Sequence, residues 1–375
     1  MSERLFETFA RLCEIPSETG HEREVADWIR AQLEGFGLEV TEDDSAERAD
    51  AGSGNLICRI PGRSDAWVSF FAHMDTVPHS EPIKVVLADG VFRSAGATIL
   101  GADNKAAVAV LMELAANARS EPPAAGLELV FTVAEEEGLR GAREIDVSAL
   151  RAPFGYVFDH ATPIGEIITA APTYNKVVAE FEGVEAHSGI RPEEGRSAIA
   201  AAAAAVSRMD LGRLDEETTA NVGVIEGGTA SNVVAGRCKL VCEARSLDED
   251  KVAAATGAIV DACTWAGTEG GCDVDIDVWE VFRRYRIPPS AESLKIARDA
   301  LSACGHTPVE RSTGGGSDAN ALILQGYEAL LLANGTEANH THAESVGAAR
   351  LVENVEICNA IASGVAAAAS PVPGT

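Results

Sequence analysis

Four clusters of ionisable side chains each follow an apolar run. His73-Met74-Asp75 follows WVSFFA, Glu135-Glu136-Glu137 follows LELVFTVA, Asp159-His160 follows GYVF, and His340-Thr341-His342-Ala343-Glu344 follows EALLLANGTEAN. A further carboxylate, Asp103, lies in the turn GADNK that opens an apolar helical segment. Such runs read as buried strands of a parallel sheet, and open α/β sheets gather ligands outside the carboxyl ends of their strands. Histidine and carboxylate at one sheet edge suit Zn²⁺, Mn²⁺ or Co²⁺, whereas structural zinc sites favour thiolates. Two cations about 3.5–4 Å apart need one shared carboxylate and a few terminal ligands. Carboxylates converging without cations repel. The i, i+2 spacing of His73 and Asp75 places both on one strand face, where Asp75 orients the imidazole. One glutamate of the 135–137 cluster, left off the metal, can take a proton from an activated water.

Other candidates read more plainly. Glu137 is a solvated neighbour, His160 and His342 are supporting or surface residues, and His21, His79 and His306 carry no signal. Asp273-x-Asp275-x-Asp277 lacks Gly at 278 and has Arg284 where a calcium loop needs its bidentate Glu, so it reads as the wet face of a strand. The Gly-rich segments 226–228 and 314–316 lack the Lys-Ser/Thr of a phosphate loop. Gly315-Gly316-Ser317-Asp318-Ala319 approximates a nucleophile elbow with His340 downstream. A serine hydrolase using Ser317 leaves HMD, GAD and EEE without a role. A non-catalytic metal- or peptide-binding protein is the alternative from another class.

The elements that must hold these residues follow from periodicity. Helices are predicted at 4–13, 21–36 and 104–118, and strands at 56–60, 67–72, 127–134 and 155–158, with a turn-rich stretch from 78 to 96. After about residue 173 the pattern becomes strand 176–181, helix 196–209, strands 220–225 and 237–244, helix 248–267 and strand 273–281. That β-α-β-β-α-β order is the ferredoxin-like unit. The α/β pattern resumes with a helix at 290–304, a strand at 328–333 and a helix at 350–367. The chain therefore reads as an α/β protein with a mainly parallel sheet, residues 1–173 and 285–375, carrying an inserted ferredoxin-like domain, residues 174–284. In the inserted domain, strand 273–281 alternates strictly and is expected to be half-buried, its edge either pairing across a dimer or covered within the chain.

Composition bounds the partners. Thirty Lys+Arg against 58 Asp+Glu give a formal charge of −28 over 375 residues, of which 46% are hydrophobic. Global disorder is excluded, and the acidity argues against nucleic acid and anionic membranes. The start MSERLFE lacks an apolar signal segment, and the run 198–206 falls far short of the roughly 20 residues a bilayer needs. Eight cysteines without a CxxC pair read as reduced, buried thiols, so a cytoplasmic location is expected.

The sequence resembles the M20 co-catalytic metallopeptidases, most closely the peptidase T (tripeptide aminopeptidase) branch. FFAHMDTVP, GADNKAAVA, AEEEG, VFDH, EAHSGIRPEEG, GGTASN, EARS, GGGSDAN and NHTHAESV carry the likeness in family order. The resemblance implies a zinc-peptidase-like catalytic domain and an inserted lid and dimerisation domain. It implies metal ligands His73, Asp103, Glu136, Asp159 and His340, with Asp103 bridging and a cis Asp103–Asn104 bond. Glu135 resembles the general base and Asp75 the carboxylate that orients His73. The spacing His-x-x-x-Glu selects His340 over His342. His187 resembles the oxyanion-stabilising histidine, and Asn232 and Arg245 resemble groups that hold the substrate's backbone and carboxylate. The function implied is cleavage of short peptides by a metal-bridging water that Glu135 activates, with two Zn²⁺ first and Mn²⁺ or Co²⁺ as alternatives. A homodimer through the inserted domain belongs to the same expectation. A deacylase of N-acyl amino acids is the alternative within the class.

Overall fold

The computed structural model describes residues 2–161 and 163–369. It divides into two compact units, residues 1–169, 286–312 and 317–375, and residues 170–285 with 313–316.

The first unit is built on a nine-stranded sheet. Its middle is parallel: Gly126–Thr132, Trp67–His73, Phe154–His160 and Glu328–Ala333 run side by side in that order. Leu56–Ile60 adds antiparallel beyond Gly126–Thr132, and Glu166–Ala171 adds antiparallel beyond Glu328–Ala333. Every residue of Gly126–Thr132 is buried, as an apolar run covered on both faces must be. Phe70 packs its ring 6.0 Å from Tyr156 and 6.1 Å from Phe158 across the parallel pair. Helix Ala102–Ala118 is apolar nearly all round and correspondingly buried. Helix Ala348–Ala368 is long and apolar enough to cross a membrane by length and composition. Here Leu351, Val355, Cys358, Ile361 and Val365 are buried, and the helix packs against Ala102–Ala118 and Glu292–Ala303, so it is a core helix.

Two predicted features differ. The strand expected at 127–134 ends at Thr132, because the chain turns sharply at Ala134, φ +49°. The stretch 78–96 holds a hairpin, Val85–Ala88 and Val91–Ser94. Its turn is Asp89-Gly90, at φ +52° and +75°, the Asp-Gly pairing that two-residue hairpin turns demand. The hairpin continues through Ser345–Gly347 into Thr336–Glu337, a four-stranded sheet that frames the loop bearing His340 and Glu344.

The second unit is a five-stranded antiparallel sheet in the order Gly212–Arg213, Thr218–Gly227, Arg237–Ser246, Thr173–Glu182, Asp273–Phe282. Apart from the two-residue Gly212–Arg213, this is the predicted β-α-β-β-α-β order. Helices Ala198–Arg208 and Glu249–Gly270 pack on the sheet and on each other. Ala198, Ala201, Ala202 and Ala205 form the buried stripe of the first helix, and their small side chains permit close approach. Ser197 and Asp248 cap the two helices through backbone N–H groups. Asp273–Phe282 lies at the sheet edge, where Val274 and Ile276 are half-buried but Val278 and Trp279 are exposed. The expected alternation therefore fails over its second half. Thr313–Gly316 joins this unit, which begins at Ala170, ahead of the predicted boundary. The Thr313 N–H donates to the Ala170 carbonyl, the Arg245 Nη1 donates to the Gly314 carbonyl, and a Cβ at Gly316 would lie 2.4 Å from the Phe282 ring.

Candidate dinuclear metal centre

All the residues expected to bind metal lie in the first unit, beyond the carboxyl ends of the parallel strands. His73 is the last residue of Trp67–His73 and is buried. Its Nδ1 is 3.0 Å from the main-chain carbonyl of Asp75, an acceptor only, so Nδ1 carries the proton and Nε2 is left as the donor atom for a metal. Nε2 lies 3.2 Å from Asp103 Oδ1 and 3.4 Å from Asp159 Oδ1. The other oxygen of Asp103, Oδ2, lies 3.3 Å from His340 Nε2, which is also 3.0 Å from Glu136 Oε1. One carboxylate thus contributes one oxygen to each of two groups: His73, Asp103 and Asp159, and His340, Asp103 and Glu136. The ligand atoms of His73, Asp103 and Glu136 all lie within 4.8 Å of one another, as do those of His73, Glu135 and Asp159.

The donor set fits divalent cations. Two ligands at about 2.1 Å from a tetrahedral zinc are separated by about 3.4 Å, close to the spacings found here. Asp103, Glu135, Glu136 and Asp159 meet two imidazoles, so carboxylates outnumber possible positive partners. Burial, reinforced by Asp159, pushes Glu135 well above the usual carboxylate range. Burial and the charge of Asp103 do the same to Asp159, against the pull of His73. Burial also raises Glu136. For Asp103 burial is outweighed by the hydrogen bonds of His340 and His73, and its pKa falls. His340, half-exposed, is pushed up to about 10 by Asp103 and Glu136. Divalent cations would balance the charge of such a cluster.

Asp75 is not on the strand, which ends two residues earlier, and the i, i+2 face predicted for it does not form. Its Oδ1 is 3.5 Å from His73 Nδ1, farther than its own carbonyl. The carboxylate instead accepts the N–H of Glu135 at 3.0 Å, the N–H of Glu136 at 3.2 Å and the Thr19 hydroxyl at 2.8 Å. It ties the strand end of His73 to the turn that presents both glutamates. The Asp103–Asn104 bond is cis, and both residues depart from helical dihedrals inside Ala102–Ala118.

Several contributors carried little or no sequence signal for the part they play. Asn339 Nδ2 donates to Asp103 Oδ2 at 2.8 Å. Glu344, present in the family spacing, receives the N–H groups of Leu100 and Gly101 on Oε2, each at 2.8 Å, and of Asp103 on Oε1 at 2.9 Å. It thereby anchors the loop that delivers Asp103 to the loop that delivers His340. Gly101 reaches its own place at φ +74°, a region a side chain resists. Asp318 is buried, and Thr132 Oγ1 donates to its Oδ2 at 2.5 Å. Burial, with the charge of Asp75, pushes it up to about 6. Adjacent Ser317 is fully buried, and its hydroxyl accepts the Ala319 N–H as the cap of Asp318–Leu324. The elbow-like sequence is a helix cap, which removes the basis for a serine nucleophile. His342 is exposed, His160 Nε2 faces Glu166 Oε2 at 4.0 Å, and Glu137 pairs with Arg140 on the surface.

His187, Asn232 and Arg245 lie in the second unit. The Ser188 N–H donates to the Asn232 carbonyl, and His187 forms an antiparallel bridge with Val233, so His187 and Asn232 share one locality. The Arg245 guanidinium carbon sits 4.2 Å from the Tyr174 ring centroid, and Nη2 pairs with Glu243 at 3.0 Å. Arg245 Nε is buried without a hydrogen-bond partner.

Comparison with known proteins extends the likeness over the whole chain. The peptidase dimerisation domain of M20 enzymes matches residues 173–270, and peptidase family M28 matches residues 55–159. The aminopeptidase PepT of Bacillus cereus is 38% identical with a TM-score of 0.84, covering 98% of this chain and 99% of its own. A tripeptidase of Staphylococcus aureus is 33% identical with a TM-score of 0.90 and the same coverage. The uncharacterised protein YqjE of Bacillus subtilis is 38% identical over 360 residues, 96% of this chain and 97% of its own.

Proposed function

The chain belongs to the M20 metallopeptidases, in their peptidase T-like branch, and on that footing we propose that it removes residues from the amino terminus of short peptides, tripeptides foremost. The observation that carries this reading is the division of Asp103 between His73 and His340, with Glu135 beside the first of the two groups. The full-length likeness to an aminopeptidase and a tripeptidase supports the substrate class.

His73, Asp103 and Asp159 would hold one cation, and Asp103, Glu136 and His340 the other. Two divalent ions held there, Zn²⁺ ahead of Mn²⁺ or Co²⁺, would supply Lewis acidity to the scissile carbonyl and lower the pKa of the attacking water. Glu135 takes the proton as that water attacks and passes it to the departing amine. Glu135 is buried, which limits the access of bulk solvent to its carboxylate. The Asp75 carbonyl holds the His73 ring in one tautomer while its carboxylate holds the turn of Glu135. His187 is assigned to the developing oxyanion, and Asn232 and Arg245 to the substrate's backbone and carboxylate, Arg245 engaging the carboxylate by exchanging its present contacts with Gly314 and Glu243. We assign the protein to the cytoplasm, as a homodimer formed through the second unit.

A deacylase of N-acyl amino acids uses the same machinery. Turnover of tripeptides, dipeptides and N-acyl amino acids by protein loaded with Zn²⁺, Mn²⁺ or Co²⁺ separates the two. Tripeptides with a free amine are expected to be the best substrates, and preference for N-acyl amino acids would transfer the assignment to the deacylase. Chelation is expected to abolish activity, and Glu135→Gln to lower kcat by about 100-fold or more with both ions retained. Full activity in the chelated protein would sink the metal mechanism.

A further inference from the structure

The turn carrying Glu135 and Glu136 is held in an uncommon way. Four successive main-chain N–H groups each donate to a side chain from elsewhere in the sequence. Val133 donates to Asn55 Oδ1 at 3.1 Å, Ala134 to Glu22 Oε1 at 3.2 Å, and Glu135 and Glu136 to the two oxygens of Asp75. Glu22 comes from the start of helix Arg23–Gly35 and is fully buried. Its Oε1 also accepts the Gly20 N–H at 3.0 Å, and its Oε2 accepts the Gly52 N–H at 2.6 Å. A Cβ at Gly52 would lie 2.6 Å from the Glu22 nitrogen and 3.1 Å from Oε2, so the backbone closes around this carboxylate.

Ala134, the residue Glu22 grips, has φ +49°. An alanine disfavours that left-handed region, and nothing in its side chain compensates; the surroundings must hold it there. The conformation matters because the next residue is Glu135. Were Ala134 to relax, the direction of the Glu135 side chain would change with it.

We infer that Glu22 is a positioning residue for Glu135, holding Ala134 in its left-handed conformation so that the glutamate one residue on meets its water in register. This rests on Glu135 being the base. A carboxylate is required because three N–H groups approach its two oxygens. A glutamine keeps one oxygen and turns an NH₂ group against one of them.

The test is steady-state kinetics of Glu22→Gln, Ala134→Gly and the double variant, all metal-loaded, with a tripeptide, alongside metal content and thermal melting. A misplaced base costs rate rather than binding, so Glu22→Gln should lower kcat by about 10–100-fold, with KM within about threefold and both ions retained. Glycine adopts φ +49° freely, so in the Ala134→Gly background the same substitution should cost several-fold less. A purely structural role would lower the melting temperature without that suppression. Equal loss of kcat in both backgrounds, or wild-type kcat in folded Glu22→Gln, overturns the inference. Should Glu22→Gln not fold, Glu22→Asp takes its place. Its shorter reach should give an intermediate kcat with the same suppression, and wild-type kcat overturns the inference equally. Glu135→Gln is the control: if it retains full kcat, the base assignment fails and this inference with it. If it is inactive while the Glu22 series shows no suppression, the inference alone fails.

Discussion

Asp103 is the residue shared by both of the proposed metal groups, and its neighbours show which parts of a site leave a trace in sequence. His73, Asp103, Glu136, Asp159 and His340 were legible as candidates because each follows an apolar run or opens a helix, and the family motifs then marked them as the proposed ligands. Glu22, Asn55, Asn339 and Asp318 were not. Their work is to meet a backbone N–H, a side-chain oxygen or a hydroxyl from a distant part of the chain, and that leaves no periodicity. Asp75 was legible as a participant but not in its main task, because the strand end that turns its carboxylate toward the glutamates is a tertiary feature. Asp318 yields a prediction at this scale. Its pKa, raised to about 6, lies above the ordinary aspartate value, so its neutral form is favoured by folding. That stabilisation is full below about pH 3.8 and is lost as pH rises through 6, a swing of about 3 kcal/mol. Asp318→Asn has no charge to bury. In metal-free protein its stability relative to wild type should rise between about pH 4 and 7 and then level off. Parallel denaturation curves across that range would rule out a titrating Asp318.

At the scale of elements, the parallel strands and the long helices were readable from apolar runs and helical spacing, whereas the short edge elements were not. The hairpin at 85–94 carried its Asp-Gly signal openly, but its strands are only four residues long and mostly polar or exposed. Its importance lies in company: through Ser345–Gly347 it steadies the loop from which Glu344 reaches back to the start of Ala102–Ala118. Glu344→Gln removes one of the oxygens that receive those N–H groups. It is expected to weaken cation binding by tenfold or more, the size of effect seen when residues behind metal ligands are changed, while the chain stays folded. Calorimetric titration with Zn²⁺ checks this, and two unchanged binding steps would show that the loop holds itself.

At the scale of the whole molecule, the inserted unit was legible in its order of elements, but the attachment of Thr313–Gly316 to it was not. That attachment depends on Arg245 and Phe282, which approach only in three dimensions. Composition spoke only to partners: removing five site carboxylates from 58 leaves 53 acids against 30 bases, so the acidity is a property of the surface and not of the centre. The exposed edge strand Asp273–Phe282, with Val278 and Trp279 open to solvent, is the natural seam for the proposed homodimer. Val278→Lys should convert dimer to monomer in sedimentation velocity, and a dimer that persists would place the interface elsewhere.

The centre is drawn from both ends of the chain. Glu22 steadies one turn, and His340 and Glu344 complete the other side, more than 300 positions later. During synthesis the ribosome releases the amino-terminal part first. The inserted unit, apart from Thr313–Gly316, is contiguous and can begin to fold while the last ligand is still unmade. No hydrolytic activity can then arise on the nascent chain until His340 and Glu344 have emerged. A peptide-cutting enzyme assembled in this order has no complete centre until the segment carrying His340 and Glu344 has been made.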